Sequence, residues 1–255
     1  MMKKITHLEI SADNNDPRLS PPGRNRKFTL IELLVVISII SLLAAMLLPA
    51  LKIAKDKAKQ ISCVNRQKQV GVFINMYVSD YDDVLVTHSE DTPYYWTLFL
   101  ADYAKLDSTF VCPAGVPESY VQYEMTFGIN AFPPYYWNSR PTLPSGNRIY
   151  LALLKKLKSP SDYLMVTDTS YGLLYGNSYY AGKQCASYAT AANNALHGIH
   201  LRHMESANAL FGDMHVDAVS ASGFSQIIKK PDMNATVTTP ISAVFSRTYR
   251  IMNIQ

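Results

Sequence analysis

The chain has 255 residues, 48% of them hydrophobic, and a formal charge of +4. Residues 1–27 hold six basic and three acidic groups, so Phe28–Gln255 carries 18 against 17 and is almost neutral. A basic footprint for nucleic acid is thereby excluded, apart from a lysine-rich stretch at 52–68. Three cysteines, an odd count, leave the redox compartment open.

Residues 1–27 include SADNNDPRLSPPGRNRK, a stretch without hydrophobic periodicity that reads as a disordered leader. Phe28 to Leu51, FTLIELLVVISIISLLAAMLLPAL, then runs for twenty-four residues with one charged member, Glu32. At about 1.5 Å per residue it makes a helix of roughly 36 Å, enough to cross a hydrocarbon core of about 30 Å. Signal peptides have apolar regions of about 7–15 residues, so this longer segment, which leads straight into more helix, is expected to be retained. A carboxylate inside such a span costs about 2.5–3.5 kcal/mol on insertion, so Glu32 needs a reason.

Past Leu51 the pattern turns amphipathic, with Leu51, Ala54, Ala58 and Ile61 recurring at spacings of four and three. Val70 to Tyr77 is apolar around most of its circumference, which predicts burial against the rest of the chain. One helix from about Thr29 to Ser79 follows, with Gly71 costing about 1 kcal/mol relative to Ala inside it. Asp80, Asp82 and Asp83 close it. Spaced carboxylates can hold calcium, but the EF-hand spacing is missing, and a solvated helix terminus without cofactor is the preferred reading.

Residues 80–255 read as one globular domain, large enough for a single core. Trp96 to Tyr103 is expected as a short helix, Phe110 to Cys112 and Tyr123 to Asn130 as strands, and Leu151 to Leu157 as a helix. Tyr163 to Thr167 is a central strand closed by Asp168; residues 170–195, with Cys185, form an excursion loop. Aromatic clusters at Tyr94–Trp96 and Tyr135–Trp137 invite sugar binding, but packing is the more economical account. The fold class is α+β, a long N-terminal helix on a mainly antiparallel sheet that includes Tyr163–Thr167 and Ala209–Phe211.

Four of the six histidines fall between His197 and His215. His203, Asp213 and His215 are a candidate metal set, and Asp213, His215 and Asp217 would share one face of a strand. The spacing is not a standard ligand pattern. Hydrogen bonding is preferred, His203 tying a loop to the Asp213 turn. No convincing nucleophile or phosphate-loop pattern is present, and no enzyme is expected.

The string Lys27-Phe28-Thr29-Leu30-Ile31-Glu32-Leu33-Leu34 closely resembles the class III signal of type IV prepilins and type II secretion pseudopilins. The resemblance implies cleavage by a prepilin peptidase between Lys27 and Phe28, methylation of the Phe28 amine, and Glu32 as the fifth mature residue. Pro49 falls where many such proteins carry a helix-kinking proline. Lys27 departs from the Gly usually found before the cut. A second stretch is similar to a C-terminal signature of prepilin-like proteins: His203, nine residues, then Asp213, with Asn208, Leu210, Phe211, His215 and Val216 in place. Met214 replaces a Gly there and would be strained if the position needs a positive φ. Cys63 and Cys112 lie in the matching segments while Cys185 does not; a disulfide between them would close about fifty residues, worth roughly 4 kcal/mol.

The resemblance implies a structural pilin or pseudopilin subunit, single-pass in the inner membrane with residues 80–255 outside the cytoplasm. Its partners would be the membrane, the peptidase and other subunits. Charge alone opposes that orientation, because lysines and arginines are denser after the span than before it. The alternative is a singly anchored surface protein whose ectodomain binds a ligand or metal.

Overall fold

The structure, a computed structural model, describes residues 28–89, 96–131, 149–171, 180, 182–188, 197–234, 244–245 and 251–252. Lys27 and the leader, the clusters at Tyr94–Tyr95 and Tyr135–Trp137, and most of the 170–195 segment lie outside the described residues. Two compact units are defined, Met1–Ala50 and Leu51–Gln255, with the division one residue beyond Pro49.

The fold is α+β. Helix α1 spans Leu30–Asp80 and passes through Pro49. The sequence builds its start locally: Glu32 accepts hydrogen bonds from the Thr29 amide (2.9 Å) and hydroxyl (2.8 Å), while the Glu32 amide donates back to Thr29 Oγ1. That reciprocal Thr-x-x-Glu pair satisfies amides that a helix start leaves orphaned. Every large apolar side chain from Phe28 to Leu51 is exposed, and this segment is long and apolar enough to cross a membrane.

In the second unit α1 buries Gln60, Cys63, Gln67, Val70, Gly71, Ile74, Tyr77 and Val78. These recur at three and four, one stripe of a helix. One expectation is corrected by it. The Leu51, Ala54, Ala58 and Ile61 face is exposed, and the buried face begins with polar Gln60 and Gln67. Both glutamines are held by Asn208: Gln67 Nε2 donates to its carbonyl at 3.1 Å, and its side chain donates to the Gln60 carbonyl. The Val70–Tyr77 turn is packed on one side only, since Val72 and Met76 stay exposed.

The buried stripe packs on a five-stranded sheet in the order β6 (Ser187–Tyr188), β2 (Gly128–Asn130), β4 (Leu164–Thr167), β8 (Ser206–Phe211), β9 (Val216–Ser220). The pairs β2–β4, β4–β8 and β8–β9 are antiparallel; β2–β6 is parallel. Both segments expected in the sheet, Tyr163–Thr167 and Ala209–Phe211, contribute to it as β4 and the end of β8, which pair with each other. Gly71 explains itself here: a Cβ on it would meet Leu210 Cδ1 at 3.1 Å, so the absent side chain permits the helix to lie close on β8. A second sheet runs β11 (Ile251–Met252), β10 (Val244–Phe245), β7 (His197–His200), β5 (Thr169–Tyr171), and β1 (Val84–Ser89) pairs with β3 (Ile149–Leu153) as a separate ribbon.

Two local expectations fail. Leu151–Leu157 is strand β3 followed by a single 3₁₀ turn at Leu154–Lys156, because Ile149–Leu153 pairs with β1. Phe110–Cys112 is not a strand; a 3₁₀ turn at Ser108–Phe110 is capped by Asp107, whose carboxylate accepts from the Thr109 amide at 2.8 Å. The Gln184 side chain then takes the place of a strand partner, accepting from the Cys112 amide (2.9 Å) and donating to the Cys112 carbonyl (3.1 Å).

Candidate functional site

Four buried side chains from four separate segments converge on one point: Cys63, Cys112, Asp168 and His203. One donor atom from each lies within 4.8 Å of all the others, and among the described residues this is the one such group. Cys63 stands in the middle of the buried stripe of α1. Cys112 is presented by the Gln184 clamp. Asp168 is the corner at which the chain leaves β4 for β5, with Thr167 paired to Ala209 in one sheet and Thr169 to Ile199 in the other.

His203 is positioned by a two-residue turn. The His203 amide donates to the Ser206 carbonyl (2.9 Å) and the Ser206 amide to the His203 carbonyl (3.1 Å), with Met204 and Glu205 between them at φ 50° and 61°. Two successive positive φ values are what a type I′ turn demands. Neither residue is Gly, Asn or Asp, so the backbone carries strain beside the cluster.

Within the cluster the Cys63 thiol donates to Asp168 Oδ1 at 3.3 Å, His203 Nε2 lies 3.3 Å from Asp168 Oδ2, and Cys112 Sγ lies 3.2 Å from His203 Nε2. The Asn208 amide donates to Asp168 Oδ2 at 2.9 Å. Burial alone would raise the Asp168 pKa, but the His203 charge and hydrogen bond, with Arg202 and the Asn208 amide, hold it down at about 2. Burial likewise works against a charged His203, and Asp168 overcomes it, raising the ring to about 9. Cys112 is pushed up by burial and brought down to about 6 by the Cys63 thiol and His203, whereas burial and its acidic neighbours keep Cys63 well above an ordinary thiol. The group thus holds a thiolate, a thiol, a carboxylate and an imidazolium in a dry interior, a set able to take a thiophilic cation or to oxidise through its sulfurs.

The residues singled out from the sequence separate into three groups. Cys63 and Cys112 are brought together as buried, unbridged cysteines whose hydrogen bonds go to Asp168 and His203. His203 and Asn208 both serve the cluster. Asp213 and His215 do not: they sit at the other end of β8, where Asp213 Oδ1 accepts from the His215 amide at 3.2 Å and from its ring, which stacks on Phe211 at 4.3 Å. The expected link from His203 to the Asp213 turn is therefore replaced by His203 to Asp168, and His203, Asp213 and His215 form no common metal set.

Met214 has φ 70° in the three-residue loop Gly212–Met214, closed by the Phe211 amide on the His215 carbonyl and the Met214 amide on the Phe211 carbonyl. That is the position at which Gly is favoured, so the Met is strained as the sequence suggested. Asp80 accepts from the Tyr103 hydroxyl at 2.7 Å, and Asp82 and Asp83 have φ 53° and 60° in the turn after α1; all three lie outside the one convergent group. Phe28, Glu32 and Pro49 belong to the first unit, with Glu32 engaged in the Thr29 cap.

Asp168 is the member the sequence reading missed as a site residue. Its one signal was a carboxylate ending the apolar run LMVT, where a buried charge requires partners. No protein-family model, curated protein or solved structure matches this chain.

Proposed function

We propose that the chain is a structural pilin- or pseudopilin-like subunit of a type II secretion or type IV pilus-like filament. In this reading Phe28–Leu51 lies in the inner membrane with the β-rich domain outside the cytoplasm. A prepilin peptidase cuts before Phe28 and methylates it, and subunits assemble through α1. The protein is not an enzyme, and its partners are the membrane, the peptidase and further subunits rather than nucleic acid. One observation carries the proposal: a single charged side chain, Glu32, is kept in the first turn of an otherwise uncharged, predominantly apolar and exposed helical segment that runs on as helix into the second unit.

The second reading, a lone membrane anchor bearing a binding domain, is favoured by the Thr29–Glu32 cap, which gives the carboxylate a purely local use. Mass analysis of the N-terminus in cells that carry a prepilin peptidase separates the two. The expected result is a chain starting at methylated Phe28; an intact leader on the mature, membrane-inserted protein overturns the subunit reading.

A further inference from the structure

We propose that Cys63, Cys112, Asp168 and His203 form a closed structural zinc site that clamps α1 to the two β-sheets. Zinc takes thiolate, imidazole and carboxylate donors at about 2.0–2.3 Å, so the edges of its tetrahedron measure roughly 3.3–3.8 Å. With Asp168 Oδ1 as the carboxylate donor, the Cys63 Sγ–Oδ1 separation of 3.3 Å and the Cys112 Sγ–His203 Nε2 separation of 3.2 Å are already close to those edges, and one donor atom from each of the four residues lies within 4.8 Å of all the others. Two sulfurs with an imidazole select a borderline-soft ion over calcium or magnesium, and four protein donors with no open position mark a structural rather than a catalytic centre.

The surroundings fit a metal better than a disulfide. A disulfide would use the two sulfurs alone and engage neither Asp168 nor His203, which lie within hydrogen-bond reach of them. The donors are instead oriented from behind: the Asn208 amide fixes Asp168 Oδ2, and the Gln184 side chain fixes both backbone groups of Cys112. Two thiolates and a carboxylate around a divalent ion leave one net negative charge. Arg202 is buried next to the group, donates to His200 Nδ1 and the Thr169 carbonyl, and makes no ion pair among the described residues. Its charge is the counterpart such a site requires.

Binding takes both sulfurs as thiolates and the ring as neutral imidazole, any protons they carry passing to solvent, and involves no change of oxidation state. Each donor comes from a different segment of the chain, so a bound ion ties the helix, the Cys112 loop, the inter-sheet corner and the His203 turn together. The role lies outside the filament reading and stands whether or not that reading does.

The full-length chain, purified in detergent without chelator, is the material for the test. Elemental analysis is expected to find one zinc per chain, and cobalt substitution to give the ligand-field and thiolate charge-transfer bands of a tetrahedral sulfur site. Cys112→Ser and His203→Ala are expected to lose the zinc, while Cys185→Ser, whose thiol bonds to the Ser187 carbonyl away from the cluster, retains it. Chelation should lower the unfolding temperature of the unsubstituted protein and leave that of Cys112→Ser unmoved. The unsubstituted protein decides the matter even where a variant fails to fold. Absence of zinc together with no cobalt spectrum, or a Cys63–Cys112 disulfide in a non-reducing peptide map, overturns the site.

Discussion

At the cluster, protonation of single side chains sets how metal and pH are linked. Without metal at neutral pH, His203 keeps its proton up to about 9, Cys112 has lost its own above about 6, and Cys63 remains a thiol. Zinc ligation needs both sulfurs ionised and the ring neutral, so two protons leave per ion between those limits. The apparent zinc affinity should accordingly rise by about a hundredfold per pH unit there, measured by competition with a chromogenic chelator. The metal-free protein behaves differently. The raised His203 pKa contributes stability that is complete below its unfolded value of 6.5 and lost as pH rises through about 9. The depressed Cys112 pKa contributes stability present above its unfolded value of 9.0 and lost as pH falls through about 6. Asp168 sits already ionised throughout that range. The two slopes oppose each other, so urea midpoints of the chelated protein should be flat from pH 6.5 to 9 while those of the zinc-loaded protein climb. A steep change in the chelated protein would show that Cys112 and His203 do not share their charge.

Among the elements, the close approach of α1 to β8 makes Gly71 a sharp probe. A Cβ there stands 3.1 Å from Leu210 Cδ1 and 3.8 Å from Met214 Sδ, so a methyl meets a movable side-chain end, whereas a larger side chain must push the helix away. Gly71→Leu should destabilise by about 1–3 kcal/mol, seen as a lowered denaturant midpoint at unchanged slope. Gly71→Ala should be near neutral, its helix-propensity gain of about 1 kcal/mol offset by the tight contact. Helix α1, β4 and β8 were legible in the sequence because each is a long or strongly apolar run with one period. The polar start of the buried face of α1 was not legible, because Gln67 and the Gln60 carbonyl are engaged through hydrogen bonds to Asn208, for which periodicity has no signature. Phe110–Cys112 looked like a strand for the same reason: its partner is the side chain of Gln184, seventy-two residues away. The cluster was half legible. Cys63, Cys112, His203 and Asn208 stood out by residue type and resemblance, but their convergence on Asp168 depends on β4, β5 and β8 meeting at a corner that no local spacing encodes.

For the whole molecule, the competing readings of α1 assign Glu32 different work. As a local cap it needs only an acceptor at the third helical position, a part that Gln fills as well as Glu. As an assembly residue it needs its negative charge, because cleavage exposes the Phe28 amine four residues away and a neighbour's amine can neutralise the carboxylate only when helices pack in register. A buried charge of this kind is tolerable with its partner correctly placed and strongly unfavourable without it. Glu32→Gln therefore separates the two: it keeps the Thr29 bond, the helix start and membrane insertion, and removes the charge alone. Expressed with a prepilin peptidase and its secretion or pilus machinery, the variant should be cleaved, inserted and folded, yet yield no filaments in sheared fractions or by electron microscopy. Glu32→Leu should fail in the same way and also lose the cap, fraying the first turn by about 0.5–2 kcal/mol. Filaments formed by Glu32→Gln at the level of the unsubstituted chain would mean that the carboxylate serves the helix start, and that α1 is an anchor for the domain it carries.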